Sequence, residues 1–208
     1  MFIVHHLPAS RSHRILWLLE ELGQPYEIVL HKRDPQTMRA SPDLGDVSRF
    51  GKAPALNVDG ATLIESGAIV EEVLRRIGGG RLVPKDNDAR ERHTIFLHFV
   101  EATAMPALLV DMTKGMGASV PEAIRWMLGP EGSDVLTFIQ EELGEGFYLF
   151  ENALTAADIM LWYAMRVASS RPDWGRHPRL AAYLARLEAR PAFQAAVARG
   201  GSVEMRTE

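Results

Sequence analysis

The chain has 208 residues, of which 47% are hydrophobic and 24% charged, as in an ordinary globular protein with a sizeable core. Its 23 basic and 27 acidic side chains give a net charge of -4, which argues against a nucleic-acid-binding surface. The absence of cysteine excludes disulfides, thiolate metal sites and a cysteine nucleophile. Residues 1–6 lack the features of a signal peptide, and no apolar run reaches membrane-spanning length. We therefore expect a cytoplasmic protein whose partners include neither nucleic acid nor membrane.

The first 80 residues predict a small α/β domain. Apolar periodicity and turn residues indicate, in chain order, a strand over 2–6, a helix over 11–22, a strand over 26–30, a short helix between Pro35 and the hairpin, a hairpin with strands over 55–58 and 61–64, and a helix over 66–77. Asp59-Gly60 is the hairpin turn, and Gly78-Gly79-Gly80 ends the last helix. The predicted order is thus β-α-β followed by β-β-α.

The pattern changes after residue 80. Residues 78–88 resemble a linker, and everything beyond has helical period. The predicted helices cover 89–114, 121–128, 133–143, 156–169, 178–189 and 191–199. The predicted fold class is therefore α/β plus all-α, with one domain over 1–80 and an all-helical domain over 88–208.

Pro54 opens the third predicted strand, although proline cannot donate to a sheet ladder. A cis bond would turn the chain sharply and leave the backbone N–H and C=O of Ala53 available to a peptide-like ligand. The alternative is a trans proline that shapes a loop. The residues alone favour the alternative, because about 95% of X-Pro bonds are trans.

Glu65 and Ser66 stand at a predicted strand-to-helix junction. A helix N-terminus and a serine hydroxyl suit a carboxylate, and the Glu65 carboxylate suits an ammonium group. Together they would recognise the end of an amino acid. The alternative for Ser66 is a plain N-cap, which is the favoured interpretation of a lone serine.

Ser10 precedes the first predicted helix, where serine is usually a cap. Its functional interpretation is a hydroxyl that donates to a sulfur and stabilises a thiolate, since a free thiol has a pKa near ~8.5. Without a base the hydroxyl would be a poor nucleophile. Ser12 is the alternative residue for the same task.

Four segments carry a resemblance to a known family: ASRSHRILWLLEELGQPYEIV (9–29), GKAPAL (51–56), LIESGAI (63–69) and LTAADIML (154–161). The chain resembles cytosolic glutathione transferases of the bacterial and fungal kind that have a serine at the thiol-activating position. The resemblance implies a thioredoxin-like, glutathione-binding N-terminal domain, a helical domain that lines the electrophile site, and a homodimer.

The resemblance also implies roles for particular residues. Ser10 takes the thiol-activating position, and Pro54 is the cis-proline. The residues implied to bind glutathione are Ala53 through the tripeptide backbone, Glu65 and Ser66 at the γ-glutamyl end, and Lys52 at a carboxylate. A solvated surface lysine is the equal alternative for Lys52.

The implied activity is attack of the glutathione thiolate on a small apolar electrophile, a detoxification reaction with glutathione as co-substrate. One alternative is glutathione-dependent reduction of peroxides or mixed disulfides, in which glutathione does all the redox chemistry. Another is a catalytically silent interaction protein, which would not need intact Ser10, Pro54, Glu65 and Ser66.

Other residues have structural interpretations. Thr155 and Asp158 form a predicted capping box without chemistry. Phe50 either inserts into a partner subunit, as the resemblance implies, or covers the loop beside the site. His5 and His6 point to opposite faces of a strand, so we expect no metal site there. The segment 150–153 replaces a glycine-aspartate of the family pattern, so we expect the turn before the capping box to differ.

Overall fold

The computed structural model describes residues 1–150 and 152–204. The chain forms two compact units. One consists of Met1–Arg81 with Ala189–Glu208 (described to residue 204), and the other is Leu82–Glu188. The sequence predicts that residues 189–208 belong to the helical domain. In the structure, residues 189–204 instead pack with the first unit.

The first unit contains a four-stranded sheet and its helices. Its elements are β1 (Phe2–His6), α1 (His13–Glu21), β2 (Tyr26–Leu30), α2 (Asp43–Val47), β3 (Ala55–Val58), β4 (Ala61–Ile64), α3 (Ser66–Val73, continued by a π-helical turn over Leu74–Gly78) and, from the end of the chain, α10 (Pro191–Gly200). The strand order is β2-β1-β3-β4, with β2 parallel to β1 and the other two pairs antiparallel. The element order is the one that the sequence pattern predicts, and the arrangement is the thioredoxin-like one that the resemblance implies.

Helix α10 packs on α1 within this unit. The Trp17 ring of α1 meets the Phe193 ring of α10 edge-on, with centroids 5.3 Å apart. The Arg190 guanidinium donates to both carboxylate oxygens of Glu21, with Nε–Oε1 2.6 Å and Nη2–Oε2 2.9 Å. Because both contacts join residues about 170 positions apart in sequence, periodicity alone predicts the helix but not what it packs against.

The second unit is helical throughout its described elements, as predicted. They are α4 (Asn87–Phe99), a π-helical turn (Val100–Ala104), α5 (Met105–Gly115), α6 (Glu122–Met127), α7 (Gly132–Leu143), α8 (Ala156–Ala168), a 3-10 turn (Trp174–Arg176) and α9 (Pro178–Glu188). Helix α8 is the centre of the unit, because all but two of its residues are buried. Glu151, in the segment that departs from the family pattern, lies outside the described residues.

A continuous helix from Asn87 to Gly115 has a mean hydropathy of 1.5 over its most apolar 18-residue window. By length and composition it meets the requirement for crossing a membrane, so the prediction that no apolar run is long enough is wrong for this helix. Core helices of soluble proteins have the same length and hydropathy. Phe96, Leu97 and Met105 are buried at 2%, 3% and 1% exposure and belong to the core of this unit.

Asp158 organises the start of α8. Its carboxylate accepts hydrogen bonds from the backbone N–H groups of Leu149 (2.9 Å) and Thr155 (2.8 Å) and from the hydroxyls of Thr155 and Tyr183 (2.8 Å each). Burial raises the pKa of Asp158, while these donors oppose that shift. The predicted capping contact between Thr155 and Asp158 is confirmed, and it extends to the segment before α8 and to α9.

We expect Thr155→Ala to lower the free energy of unfolding by about 0.5–2 kcal/mol through loss of the cap. Tyr183→Phe should cost about 1–3 kcal/mol, because the buried carboxylate loses a donor. Urea denaturation of the purified variants measures both. The control is Thr137→Ala on α7, whose exposed hydroxyl only donates to the Ser133 carbonyl (3.0 Å) and which should change stability by less than about 0.5 kcal/mol. Equal losses in Thr155→Ala and the control would contradict the role of the cap.

Candidate active site

Three chain segments meet at one end of the sheet of the first unit. In the antiparallel register, His5 of β1 lies opposite Ala55 of β3, and Ala55 lies opposite Ile64 of β4. The segment that leaves β1, the segment that enters β3 and the segment that leaves β4 therefore share this end. They carry Ser10, Pro54 and Ser66 respectively.

Ser10 lies in the connection between β1 and α1 and is 7% exposed. Its Oγ is 2.7 Å from Ser12 Oγ and accepts the Ser12 backbone N–H at 3.2 Å. Ser12 is fully buried, and its Oγ also lies 2.7 Å from His6 Nδ1 and accepts the Leu7 N–H at 3.1 Å. Of the two candidate serines, Ser10 is thus the one that keeps some solvent exposure.

The bond between Ala53 and Pro54 is cis, as the resemblance implies. Pro54 is buried and Ala53 is half-buried. Among the residues that the structure describes, the Ala53 backbone N–H and C=O make no hydrogen bond. Both groups are therefore available to a peptide-like ligand. Lys52 next to them is exposed, and its backbone N–H is 3.4 Å from Ser48 Oγ.

Glu65 has the left-handed backbone conformation, with φ 68°, and it directly precedes α3. For a non-glycine residue this conformation is strained, and such strain concentrates at ligand sites. Ser66 is the first residue of α3 and is 3% exposed, and its Oγ accepts the Arg14 Nη1 hydrogen at 3.0 Å. Ser66 is therefore not the N-cap of α3, since Glu65 holds that position.

Arg14 and His6 are site neighbours that the sequence reasoning missed. Arg14 is fully buried on α1, where it shares the apolar face with Leu18 and Leu22 at a spacing of four. A basic residue in an otherwise apolar stripe was the signal that could have identified it. His6 was considered only as a metal ligand, and nothing local in sequence indicates its contact with Ser12.

The two adjacent histidines of β1 point to opposite faces, as predicted. His5 Nδ1 lies 3.0 Å from His31 Nε2, whereas His6 faces Ser12. Burial lowers the pKa of both imidazoles. Within residues 1–150 and 152–204, no group of three or more His, Asp or Glu side chains is arranged to hold a metal ion.

Comparison with known proteins finds relatives that share one family. The family model described as the N-terminal domain of glutathione S-transferase matches residues 10–76. Glutathione S-transferase 3 of Schizosaccharomyces pombe is 32% identical over 183 aligned positions, and the match covers 81% of this chain and 74% of the relative. Glutathione S-transferase 1 of Saccharomyces cerevisiae is 30% identical over 190 residues, and the match covers 81% of both chains.

Solved structures show the same fold. A glutathione S-transferase from Actinobacillus pleuropneumoniae superposes with a TM-score of 0.87 at 25% identity, and the match covers 98% of this chain and 95% of that one. A glutathione transferase homologue from Sulfitobacter with bound glutathione gives a TM-score of 0.77 at 20% identity, covering 96% and 98%.

Proposed function

This chain belongs to the glutathione S-transferase family, and from that premise we propose that it joins the thiolate of glutathione to small apolar electrophiles. It is a glutathione transferase with glutathione as its co-substrate. The observation that carries the proposed site is the meeting of Ser10, Ala53-Pro54 and Ser66 at one end of the sheet. Holding thiol and electrophile together supplies proximity, and detoxification of reactive compounds is the role we assign to the reaction.

The γ-glutamyl end of glutathione is assigned to Glu65 and Ser66. Because Ser66 Oγ accepts its hydrogen bond from Arg14, the proton of the Ser66 hydroxyl remains available for a carboxylate. The N-terminus of α3 and the buried Arg14 guanidinium add positive potential for the same anion. The Glu65 carboxylate, exposed and one residue earlier, is assigned to the ammonium group.

The middle of the tripeptide is assigned to Ala53. Its backbone N–H and C=O would pair with the glutathione backbone as an added strand does. Pro54 presents them through the cis bond. The exposed Lys52 ammonium is assigned to a second glutathione carboxylate.

Ser10 is assigned to the sulfur. It lies just before α1, where the positive end of the helix dipole favours an anion. A hydroxyl that donates to sulfur binds a thiolate better than a thiol, and each unit by which it lowers the thiol pKa raises the thiolate fraction about tenfold at neutral pH.

Within the proposed site, the first prediction concerns Ser66. Replacing it by Ala should weaken glutathione binding by ~1–3 kcal/mol, because the bound carboxylate loses a donor. Isothermal calorimetry with glutathione measures this. Thr62→Ala on β4, which removes an exposed hydroxyl that donates to Asn57, is the control and should bind like the unmodified protein. An unchanged dissociation constant for Ser66→Ala would refute the assignment.

A second prediction concerns Ser10. Ser10→Ala should keep glutathione affinity within a few-fold but lower kcat/KM with a model aryl halide by ~10-fold or more at neutral pH, or about 1.4 kcal/mol. The loss should shrink at high pH, where the thiol ionises unaided. Ser133→Ala on the exposed surface of α7 is the control.

A pH-independent loss in Ser10→Ala would mean that Ser10 positions the sulfur without favouring its ionisation. The same preparations should be assayed with a hydroperoxide and with a mixed disulfide of glutathione. Turnover of these compounds without conjugation of the aryl halide would replace the proposed reaction by glutathione-dependent reduction.

We also propose a homodimer, supported by the 69% exposure of the large apolar Phe50 side chain. Phe50→Ala should weaken the dimer by ~10-fold or more, since buried aromatic anchors dominate interfaces. Analytical ultracentrifugation over a concentration series measures this. Phe147→Ala, which removes a ring exposed at 57% elsewhere in the chain, should leave the equilibrium unchanged. A monomeric unmodified protein at every concentration would contradict the proposal.

A further inference from the structure

A chain of hydrogen bonds runs from Ser10 into the interior of the first unit. Ser10 Oγ is 2.7 Å from Ser12 Oγ, Ser12 Oγ is 2.7 Å from His6 Nδ1, and His6 Nε2 is 2.8 Å from the Gly200 carbonyl oxygen. Ser12 and His6 are fully buried. The chain therefore has one end near the surface, at Ser10, and the other at a backbone carbonyl.

The Gly200 carbonyl at the inner end determines which atom donates in each hydrogen bond of this series. The Gly200 oxygen can only accept, so His6 carries a proton on Nε2. Burial, with further contributions from His13 and His31, lowers the pKa of His6 to about 3, so the imidazole is neutral at physiological pH and Nδ1 has a lone pair. The Ser12 hydroxyl lies 3.2 Å from the Leu7 carbonyl oxygen as well, but its 2.7 Å contact with the unprotonated Nδ1 is the shorter and requires a proton between the two atoms, so Ser12 donates to Nδ1. The Ser10 hydroxyl then donates to Ser12 Oγ.

The surroundings of His6 keep it in this state. Among the described residues, the titratable side chains that act on it are His13 of α1, whose ring lies edge-on with centroids 4.5 Å apart, and His31 after β2. Neither supplies a negative charge that would stabilise an imidazolium. The end of α10 reaches the imidazole because Gly200 has no side chain, since a Cβ there would lie 3.0 Å from His6 Nε2 and 2.5 Å from Leu16 Cδ1.

We propose that His6, acting through Ser12, is a positioning residue that holds the Ser10 proton inward and so opposes ionisation of the bound glutathione thiol. The inference rests on the proposed function of Ser10. Without glutathione, Ser10 Oγ uses one lone pair for the Ser12 N–H and offers only the other, which suits a thiol S–H but not a thiolate. Before Ser10 can donate to the sulfur, its O–H bond must rotate away from Ser12. Ser12 Oγ then either loses the hydrogen bond from Ser10, or rotates to donate to Ser10 and leaves His6 Nδ1 without a donor.

Two variants release the Ser10 proton in different ways. His6→Asn places an amide at the position of Nδ1, and its N–H can donate to Ser12, which lets Ser12 donate to Ser10 and Ser10 to the sulfur. Ser12→Ala removes the acceptor of the Ser10 proton altogether. In both, the pKa of bound glutathione should fall by about one unit, which is roughly a tenfold higher thiolate fraction at neutral pH. Ser133→Ala on the exposed surface of α7, which leaves the hydroxyl chain and the rings around His6 intact, is the control and should titrate like the unmodified protein.

The thiol pKa is read from the ultraviolet absorbance of the thiolate in the complex as a function of pH, with folding of each variant checked by thermal denaturation. An unchanged or higher thiol pKa in the folded variants would overturn the inference. Nitrogen chemical shifts of His6 in the unmodified protein need no variant. They should report a proton on Nε2 and none on Nδ1 at neutral pH, and a protonated Nδ1 would overturn it. Failure of the unmodified protein to bind glutathione would instead overturn the proposed function and the inference together.

Discussion

The antiparallel register of β1 with β3 and of β3 with β4 is the constraint on which the candidate site depends. It places the end of β1 beside the start of β3 and the end of β4, although His5 precedes Ala55 and Ile64 by about 50 positions or more in sequence. The core enforces this register, because Val4, Leu56 and Val58 are buried at 0%, 0% and 3% exposure. A slip of one residue would turn these side chains away from the core, so the hydrophobic pattern that folds the sheet also positions the site.

A second constraint is the polar interior of the first unit. Arg14, His6 and Ser12 are all fully buried, and buried polar groups must be hydrogen-bonded. The Ser66 hydroxyl accepts a hydrogen bond from the Arg14 guanidinium, and the Gly200 carbonyl accepts one from Nε2 of His6. Residues from the end of the chain therefore complete a structure that begins at residue 2. This explains why α10 belongs to the first unit, and why the position that meets His6 is a glycine.

The element order of the first unit was predictable because its signals are local: alternating strands, the Asp59-Gly60 turn, and glycines after the helices. The buried neighbours of the site were not. His6 and Gly200 are 194 positions apart, and no periodicity reports such a contact. The sequence left Ser10 and Ser12 as alternatives because both precede α1, and only the burial of Ser12 separates them. It also left Ser66 as a possible N-cap, since the left-handed conformation of Glu65 has no local signature.

Two serines at helix starts thus differ in what they offer a ligand. Ser66 Oγ receives a hydrogen from Arg14, so its own proton is available, and an anion can bind there without any rearrangement. Ser10 Oγ receives the Ser12 N–H, and neutral His6 draws its proton inward through Ser12. In the proposed complex the carboxylate end of glutathione would meet a prepared donor, whereas the sulfur would meet one that must first turn. Affinity and thiol activation would then depend on different residues of the same sheet end, and their free energies could change independently.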